Sequence, residues 1–420
     1  MNYKVSLVAL AATAALFCAA PGCSNDDGTV PTSPGIDAST TATGTPTSGG
    51  SVVDPGAGGL YLTASAEALA VTGYDFPPTT VDDTFLVDGW IFRLDHVLVT
   101  LAHVKLWENP DTVPADQSQH GGQVAHLDGP WAVDLHKGGS LTGEGGSPEQ
   151  AQPFAAIKSK DDGSKFDTTV RYAFGFDTIA ASSGATMVNL DADGLADYQT
   201  MIENGYSVLY VGTVSRPAND TCAAAGGAAY DFGQMPKSLP FKLGFSTPTS
   251  YVNCQNGSQF QGVGGVNGED HQRGIQFRSD RSVVGQVTVH ADHPFWESFA
   301  EGSSLRFDQI AAQYVGVTNP IATVEDMKGV DFTAFTDRNK KALPLRTCVG
   351  NSLYTPSYRA GEQLHFDPLK VPVNKTGTDP KAALRDYLDY VRYNQSTQGH
   401  LNSQGLCFVS RSFDAPPGGS

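Results

Sequence analysis

The chain of 420 residues is long enough for two or three ordinary domains, or for one large β domain with additions. Its 44 Asp and Glu residues outnumber its 27 Lys and Arg residues, which gives a formal net charge of -17 at pH 7. This acidity repels phosphate backbones and argues against a nucleic-acid partner, whereas it favours the attraction of cations.

The first 22 residues have the features of a secretion signal. Lys4 supplies a positive charge, and the apolar stretch over residues 5–20, at about 16 residues, is too short to span a bilayer comfortably. The stretch leads into an Ala-Pro-Gly-Cys sequence that ends at Cys23 and resembles the bacterial lipobox, in which the cysteine is lipidated and becomes the mature N-terminus. We therefore expect Cys23 to carry a lipid. Ala20 stands where the lipobox usually has Leu, so ordinary signal-peptidase cleavage is an alternative.

The lipobox resemblance also implies a location. Ser24, directly after the cysteine, is similar to the residue that directs such lipoproteins to the outer membrane. Residues 23–57 are rich in Thr, Ser, Pro, Gly and Asp and contain few large apolar residues, which is typical of a flexible tether. We expect a protein anchored to a bacterial outer membrane through lipid, with its body facing the periplasm or the cell surface.

The middle of the chain is dominated by apolar and β-branched segments. The strand-like segments cover residues 88–107, 124–135, 166–179 and 206–214. The first of these predicts one long buried strand, or two strands joined by a bulge near Asp95 and His96. We expect a mainly β, sandwich-like domain over residues 58–300.

Helical signals gather after residue 300. Short helices are predicted over residues 295–299, 303–314 and 323–327. The clearest helix is expected after Asp379 and Pro380, where apolar residues from Leu384 to Val391 recur at helical spacing. We expect a mixed helical region over residues 301–420 that packs on the β domain, which makes the fold α+β overall.

An acidic turn between two of the strands has part of a calcium-loop pattern. Asn189, Asp191, Asp193 and Asp197 occupy the spacing of the first nine positions of an EF-hand loop, but Thr200 stands where a bidentate Glu is needed. Calcium binding is one interpretation. The other is an Asp-rich turn that caps a short helix over residues 198–203.

The segment over residues 283–296 contains the main candidate site. An alternating strand pattern over residues 283–289 runs into His290, Asp292 and His293, and Pro294 suits the first turn of a following helix. Imidazole and carboxylate groups held at such a corner can bind copper, zinc or iron, and the histidines favour copper or zinc. In the alternative interpretation Asp292 caps the helix, His293 hydrogen-bonds locally and Trp296 packs in the core.

Two distant histidines are candidates for the remaining metal ligands. His136 follows a predicted strand and precedes two glycines, and strand ends are common positions for ligands. His400 lies at the exit of the tail helix. Each could instead be an ordinary surface histidine, and His365 is expected to be structural.

Four cysteines remain after the leader and Cys23. They are Cys222, Cys254, Cys348 and Cys407, and an exported protein would hold them as disulfides. We favour the pairs Cys222–Cys254 and Cys348–Cys407, because each pair encloses one coherent stretch of chain. No C-x-x-C pair is present, which argues against a redox motif or a cysteine zinc site.

The chain as a whole resembles large envelope lipoproteins of Gram-negative bacteria, in particular those of myxobacterial type, a group without an established activity. The resemblance rests on the leader, the tether, the β-rich body and the H-x-D-H corner. It implies a location in the envelope and little about chemistry.

Two functions follow from these features. The first is the capture or delivery of a transition metal, in partnership with an outer-membrane transporter. The second is a non-catalytic adhesion or ligand-binding module in which Trp90, Trp107 and Trp131 contact a glycan or protein. The absence of the G-x-S-x-G elbow, the H-E-x-x-H helix and the dinucleotide fingerprint from the sequence argues against an enzyme. A metal-dependent hydrolase or oxidase is a third interpretation, and it would need an open coordination position beside a general base.

Overall fold

The computed structural model describes residues 51–79, 84–144, 150–217, 222–224, 227–297, 303–332, 334–348 and 386–411. The leader, Cys23, most of the tether, His365 and the expected cap at Asp379 and Pro380 lie outside these residues. The described strands are β1 (Leu60–Ser65), β2 (Ile91–Glu108), β3 (Gln123–Leu127), β4 (Trp131–Asp134), β5 (Leu141–Thr142), β6 (Gln150–Ile157), β7 (Arg171–Thr178), β8 (Thr186–Val188), β9 (Val208–Ser215), β10 (Cys222–Ala224), β11 (Ser238–Phe245), β12 (Thr249–Val252), β13 (Ile275–Gln276), β14 (Val283–Val289), β15 (Arg346–Cys348), β16 (Gly399–Leu401), β17 (Gly405–Leu406) and β18 (Phe408–Arg411). The α-helices are α1 (Glu67–Thr72), α2 (Ala192–Asn204), α3 (Asp308–Ala311) and α4 (Tyr387–Gln395).

Two large sheets form the body of the protein and confirm the mainly β prediction. The larger sheet follows the order β11-β9-β2-β7-β12-β18, with β3, β4, β8 and β13 attached to it. The smaller sheet follows the order β17-β16-β14-β1-β6-β5. Apolar side chains from both sheets, such as Leu62 and Val287 from the smaller and Val99 and Phe174 from the larger, belong to one hydrophobic core. Burial of that shared core is the main force that holds the sheets together.

The longest strand carries the predicted bulge. β2 pairs with β9, and the register shifts between Leu94 and His96, so that Asp95 is the extra residue. A second shift against β7 follows Ala102, where His103 has a positive φ of 47°. An extra residue at each bulge lets one strand curve while it keeps its apolar side chains inside.

The described part of the C-terminal region joins both sheets. β16 and β17 extend the smaller sheet beside β14, and β18 pairs with β12 in the larger sheet. The described residues all belong to one compact unit. The helices that pack on this body are short, and none in the described ranges is long and apolar enough to cross a membrane.

The predicted helices after residue 290 differ in extent from the observed ones. A 3-10 helix covers His293–Phe295 and another covers Val324–Met327, the latter close to its prediction. The helix expected over residues 303–314 is limited to α3 and one further 3-10 turn, because Leu305 forms extended bridges to Leu86 and Trp296. Asp386 caps α4, since its side chain accepts a hydrogen bond from the Asp389 amide.

The predicted disulfide pairing is wrong. The bonds join Cys222 to Cys348 and Cys254 to Cys407. Cys222 and Cys348 are directly opposed in the β10–β15 pair, and the second bond follows the pairing of β12 with β18. Closeness in sequence predicted the wrong partners because strand pairing joins segments that are 126 and 153 residues apart.

A buried charge network lies at the start of β2. Asp88 accepts hydrogen bonds from the amides of Phe307 and Asp308, each at 2.7 Å. Arg346 makes two bonds to the Asp308 carboxylate, at 2.7 and 2.9 Å. Burial, followed by the nearby Asp308 charge, raises the pKa of Asp88 to about 7. Asp88 is therefore protonated in the folded protein over much of the range in which it would ionise in the unfolded chain.

Asp88→Asn should change how stability depends on pH. A carboxyl whose folded pKa lies above its unfolded value contributes stability at low pH and loses it as the pH rises between the two values, here from about 4 to about 7. Asn does not titrate, so the free energy of unfolding of the variant should not show this decrease, which is about 1.4 kcal/mol per pH unit. Denaturant unfolding at pH 4.5, 5.5 and 6.5 measures the difference between variant and wild type, and a difference that is constant with pH would contradict the assignment.

Candidate metal centre

Strand pairing in the smaller sheet places two histidines together. β14 and β16 are antiparallel neighbours in which Thr288 is opposite His400, and the His290 amide donates to the Gln398 carbonyl at 2.9 Å. His290 lies two residues beyond Thr288 and therefore shares its side of the sheet, diagonal to His400. Two imidazoles that are far apart in sequence thus meet on one face.

A tight corner places the third histidine. After β14 the chain turns at Asp292 into the 3-10 helix that begins with His293 and contains Pro294 in its first turn. The fixed φ of proline suits this position. The corner returns His293 towards the end of β14, where its ring centroid lies 5.4 Å from that of His290. The strand over residues 283–289 and the corner are as the sequence predicts.

The three imidazoles form one buried group. Each offers a ring nitrogen, and these atoms all lie within 4.8 Å of one another. The rings of His290 and His400 stack in parallel with centroids 4.0 Å apart, whereas His293 is nearly perpendicular to both. His290, His293 and His400 are 5%, 1% and 2% exposed. Within the described ranges, no other set of three or more His, Cys, Asp or Glu side chains has this geometry.

Hydrogen bonds determine which ring nitrogens carry the protons. Nε2 of His290 lies 3.0 Å from the Ser403 carbonyl oxygen, which can only accept, so Nε2 is the donor. Nδ1 of His293 lies 2.8 Å from Thr397 Oγ1, and that hydroxyl donates its own proton to the Asn394 carbonyl. The hydroxyl must therefore accept from His293, which leaves the Nε2 lone pair of His293 free.

Two nitrogens of the group have no hydrogen-bond partner. They are Nε2 of His293 and Nδ1 of His400, and both are buried. A buried polar atom left in this way costs about 1–3 kcal/mol, and native proteins contain few of them. In metal-ligating histidines one ring nitrogen binds the ion while the other donates to a protein oxygen, as Nε2 of His290 and Nδ1 of His293 do here. The three histidines could therefore hold a metal ion.

Burial keeps the rings of His293 and His400 neutral. Burial, followed by the proximity of His290 and His400, holds the pKa of His293 well below its usual value. Burial, followed by the proximity of His290, lowers the pKa of His400 in the same way, against a smaller opposing effect of a hydrogen bond that the ring donates to the Thr397 backbone. A metal ion competes with protons for ring nitrogens, so a lowered pKa extends metal binding to lower pH.

Asp292 is connected to the histidine group through Trp296. Its carboxylate accepts a hydrogen bond from Nε1 of Trp296 at 3.0 Å, and the Trp296 ring lies 3.7 Å from the His293 ring, centroid to centroid. Asp292 is not a member of the histidine group. Its side chain makes no cap hydrogen bond to the 3-10 helix, so the expected capping role is not seen, whereas the packing of Trp296 in the core is as the alternative interpretation states.

The two further ligand candidates, His400 and His136, lie in different parts of the structure. His400 belongs to the group, whereas His136 is not one of its members. Nδ1 of His136 bonds the Ala70 carbonyl at 2.7 Å, and its amide bonds the Asp134 side chain. The end of β4 therefore directs His136 to α1 instead of to the corner.

The acidic turn has the structure of a helix cap. Asp191 accepts a hydrogen bond from the Gly194 amide at the start of α2 and pairs with Lys137. The Asn189 side-chain oxygen accepts from the Asp134 amide, and Asp197 pairs with Lys242. Asp191, Asp193 and Asp197 do not form a candidate cation group within the described part of the chain. The capping interpretation is confirmed, with a longer helix than predicted, and the calcium interpretation gains no support.

Sequence reasoning missed three residues that contact the group: Thr397, Ser403 and Glu67. Oε1 of Glu67 lies 3.3 Å from Nε2 of His290. No spacing in the sequence connects Glu67 to His290. The connection follows from the parallel pairing of β1 with β14, in which Ser65 is opposite Thr288, so that Glu67 follows at the level of His290.

No family model, curated protein or solved structure matches the chain. The resemblance to envelope lipoproteins therefore stays a prediction that depends on the leader and the corner motif. The case for the metal centre depends on the geometry of the three histidines alone.

Acid unfolding of the metal-free protein should reveal the neutral histidines. The unfolded chain binds a proton at His400 near pH 6.5, whereas the folded protein does so only at much lower pH, so stability falls as the pH drops below about 6.5. His400→Asn should remove up to about 1.4 kcal/mol of this loss per pH unit. Denaturant unfolding with a chelator present, at pH 5.5, 6.5 and 7.5, measures how the free energy of unfolding changes with pH. A variant with the pH dependence of the wild type would contradict the assignment.

Proposed function

We propose that this protein captures a transition-metal ion through His290, His293 and His400, for storage or delivery in the cell envelope. The observation that supports the proposal most strongly is the convergence of three buried imidazoles, whose ring nitrogens lie within 4.8 Å of one another, with Nε2 of His293 and Nδ1 of His400 lacking hydrogen-bond partners. Hydrogen bonds on the outer nitrogens orient the rings, so little ordering would accompany binding.

The ligand type favours copper or zinc. Neutral imidazole suits zinc, copper, iron and nickel, whereas calcium and magnesium prefer oxygen ligands. The group contains three imidazoles and no carboxylate. Among the divalent metals, copper usually has the highest affinity for nitrogen ligands, and zinc is readily bound by three histidines.

Burial favours capture over catalysis. A catalytic metal needs an open coordination position and a general base beside it. Here all three histidines are at most 5% exposed, and the Trp296 ring covers His293. A site shielded in this way protects a bound ion from water and from competing ligands.

The location belongs to the same proposal. The lipobox-like leader supports a lipid anchor at Cys23 in an outer membrane, and a transporter in that membrane would be the natural recipient or donor of the ion. The two disulfides agree with an oxidising compartment outside the cytoplasm.

The three tryptophans on which the adhesion alternative is based are buried. Trp90 is 0% exposed, and Trp107 and Trp131 are each 9% exposed. Trp90 donates its Nε1 proton to Asp308 inside the core. These three tryptophans are core residues and do not present an aromatic surface to a glycan or a protein.

Metal uptake by the oxidised protein, purified without an affinity histidine tag, tests the proposal. We expect one copper or zinc ion per chain after equilibrium dialysis and elemental analysis. His293→Gln and His400→Gln should each weaken binding by more than about 100-fold, because loss of a partner outside the ligand set already costs 10- to 100-fold. Glutamine keeps much of the buried volume and retains polar atoms.

The matched control is His136→Gln, which removes a histidine that bonds Ala70 and lies outside the group. This variant should bind like the wild type. Metal-free wild-type protein that takes up neither ion, or equal losses in all three variants, would refute the proposal. Near-ultraviolet circular dichroism confirms that each variant is folded.

A further inference from the structure

The buried histidine group needs a route by which an ion can reach it. Glu67, the first residue of α1, is a partly exposed charged residue in contact with His290. Its side chain is 25% exposed, compared with 5% for His290, and its Oε1 lies 3.3 Å from Nε2 of His290. Ser403 Oγ also contacts the carboxylate, at 3.3 Å.

Glu67 is not needed to hold the His290 ring. The Ser403 carbonyl already accepts from Nε2 at 3.0 Å, a shorter contact than that of the carboxylate. A carboxylate beside a ring that is already oriented retains oxygen lone pairs for a ligand. In an acidic chain its charge also adds to the attraction of cations towards this end of the sheet.

Backbone strain is concentrated on both sides of this contact. Glu67 has a φ of 64°, and Asn402 and Ser403 have φ values of 50° and 70°. Residues other than glycine adopt such angles rarely, and Asn does so more readily than Glu or Ser. Strained residues that cluster at one place are characteristic of binding sites and moving segments.

We propose that Glu67 is the loading residue of the metal centre: its carboxylate takes the hydrated ion at the surface and transfers it to the histidines between the start of α1 and the turn at residues 402–404. This inference rests on the proposed function and adds the path of the ion to it. The step is an exchange of ligands, in which water and one carboxylate oxygen are replaced by ring nitrogens and no electron is transferred.

Stopped-flow fluorescence with Cu²⁺ as the probe tests the inference, because Trp296 lies against His293 and its emission reports an ion at the site. Glu67→Gln should lower the association rate constant by about 10-fold or more, as expected when a steering charge is lost, and should still bind one ion per chain at equilibrium. Glu67→Asp keeps the charge and tolerates a positive φ better than most residues, so it should recover most of the rate.

The matched control is Glu203→Gln, which removes the same charge from the exposed face of α2. It should load at the wild-type rate. Equal slowing in this control would assign the effect to overall charge and overturn the inference. An unchanged association rate in Glu67→Gln, with or without faster dissociation, would also overturn it, since Glu67 would then at most support His290.

A wild-type protein that binds no Cu²⁺ at equilibrium would overturn the proposed function itself. The equilibrium and kinetic measurements therefore separate the two failures. Thermal unfolding of each variant without metal shows whether a changed rate reflects loading or loss of the fold.

Discussion

The register of β14 between its two neighbours is the constraint on which the site depends. Ser65 of β1 and His400 of β16 are both paired with Thr288, so the residues just beyond them gather around His290. A slip of one residue in β16 would turn His400 to the opposite face of the sheet. Backbone hydrogen bonds and the burial of side chains such as Val287 and Leu401 therefore determine the position of the imidazoles.

Two buried polar clusters in this molecule are stabilised in different ways. At the start of β2, Asp308 is neutralised by Arg346 and hydrogen-bonded by Trp90, although Oδ1 of the neighbouring Asp88 has no hydrogen-bond partner. The histidine group contains no such charge pair at its centre. Burial lowers the pKa of His293 and His400, and each of these two rings has one nitrogen without a hydrogen-bond partner. The second cluster therefore differs from the first because it brings together ring nitrogens of three imidazoles within 4.8 Å of one another, with no carboxylate among them.

Local signals in the sequence predicted local structure well. The alternation over residues 283–289 and the proline after His293 predicted the strand and the corner, and the acidic turn before α2 predicted a cap. Features that depend on the pairing of distant strands could not be obtained in this way. The choice of His400 over His136, the contact of Glu67 and the disulfide partners all follow from register. Period and spacing carry no information about which strands become neighbours.

The two disulfides are interleaved along the chain, because Cys254 lies between Cys222 and Cys348, and Cys348 lies between Cys254 and Cys407. A single break of the backbone at any position between Cys222 and Cys407 therefore leaves both pieces covalently joined. His290, His293 and His400 all lie within this span. A protease that nicks the chain there would not release one ligand from the others, and the cleaved molecule would keep its full set of histidines for as long as the cross-links stay oxidised.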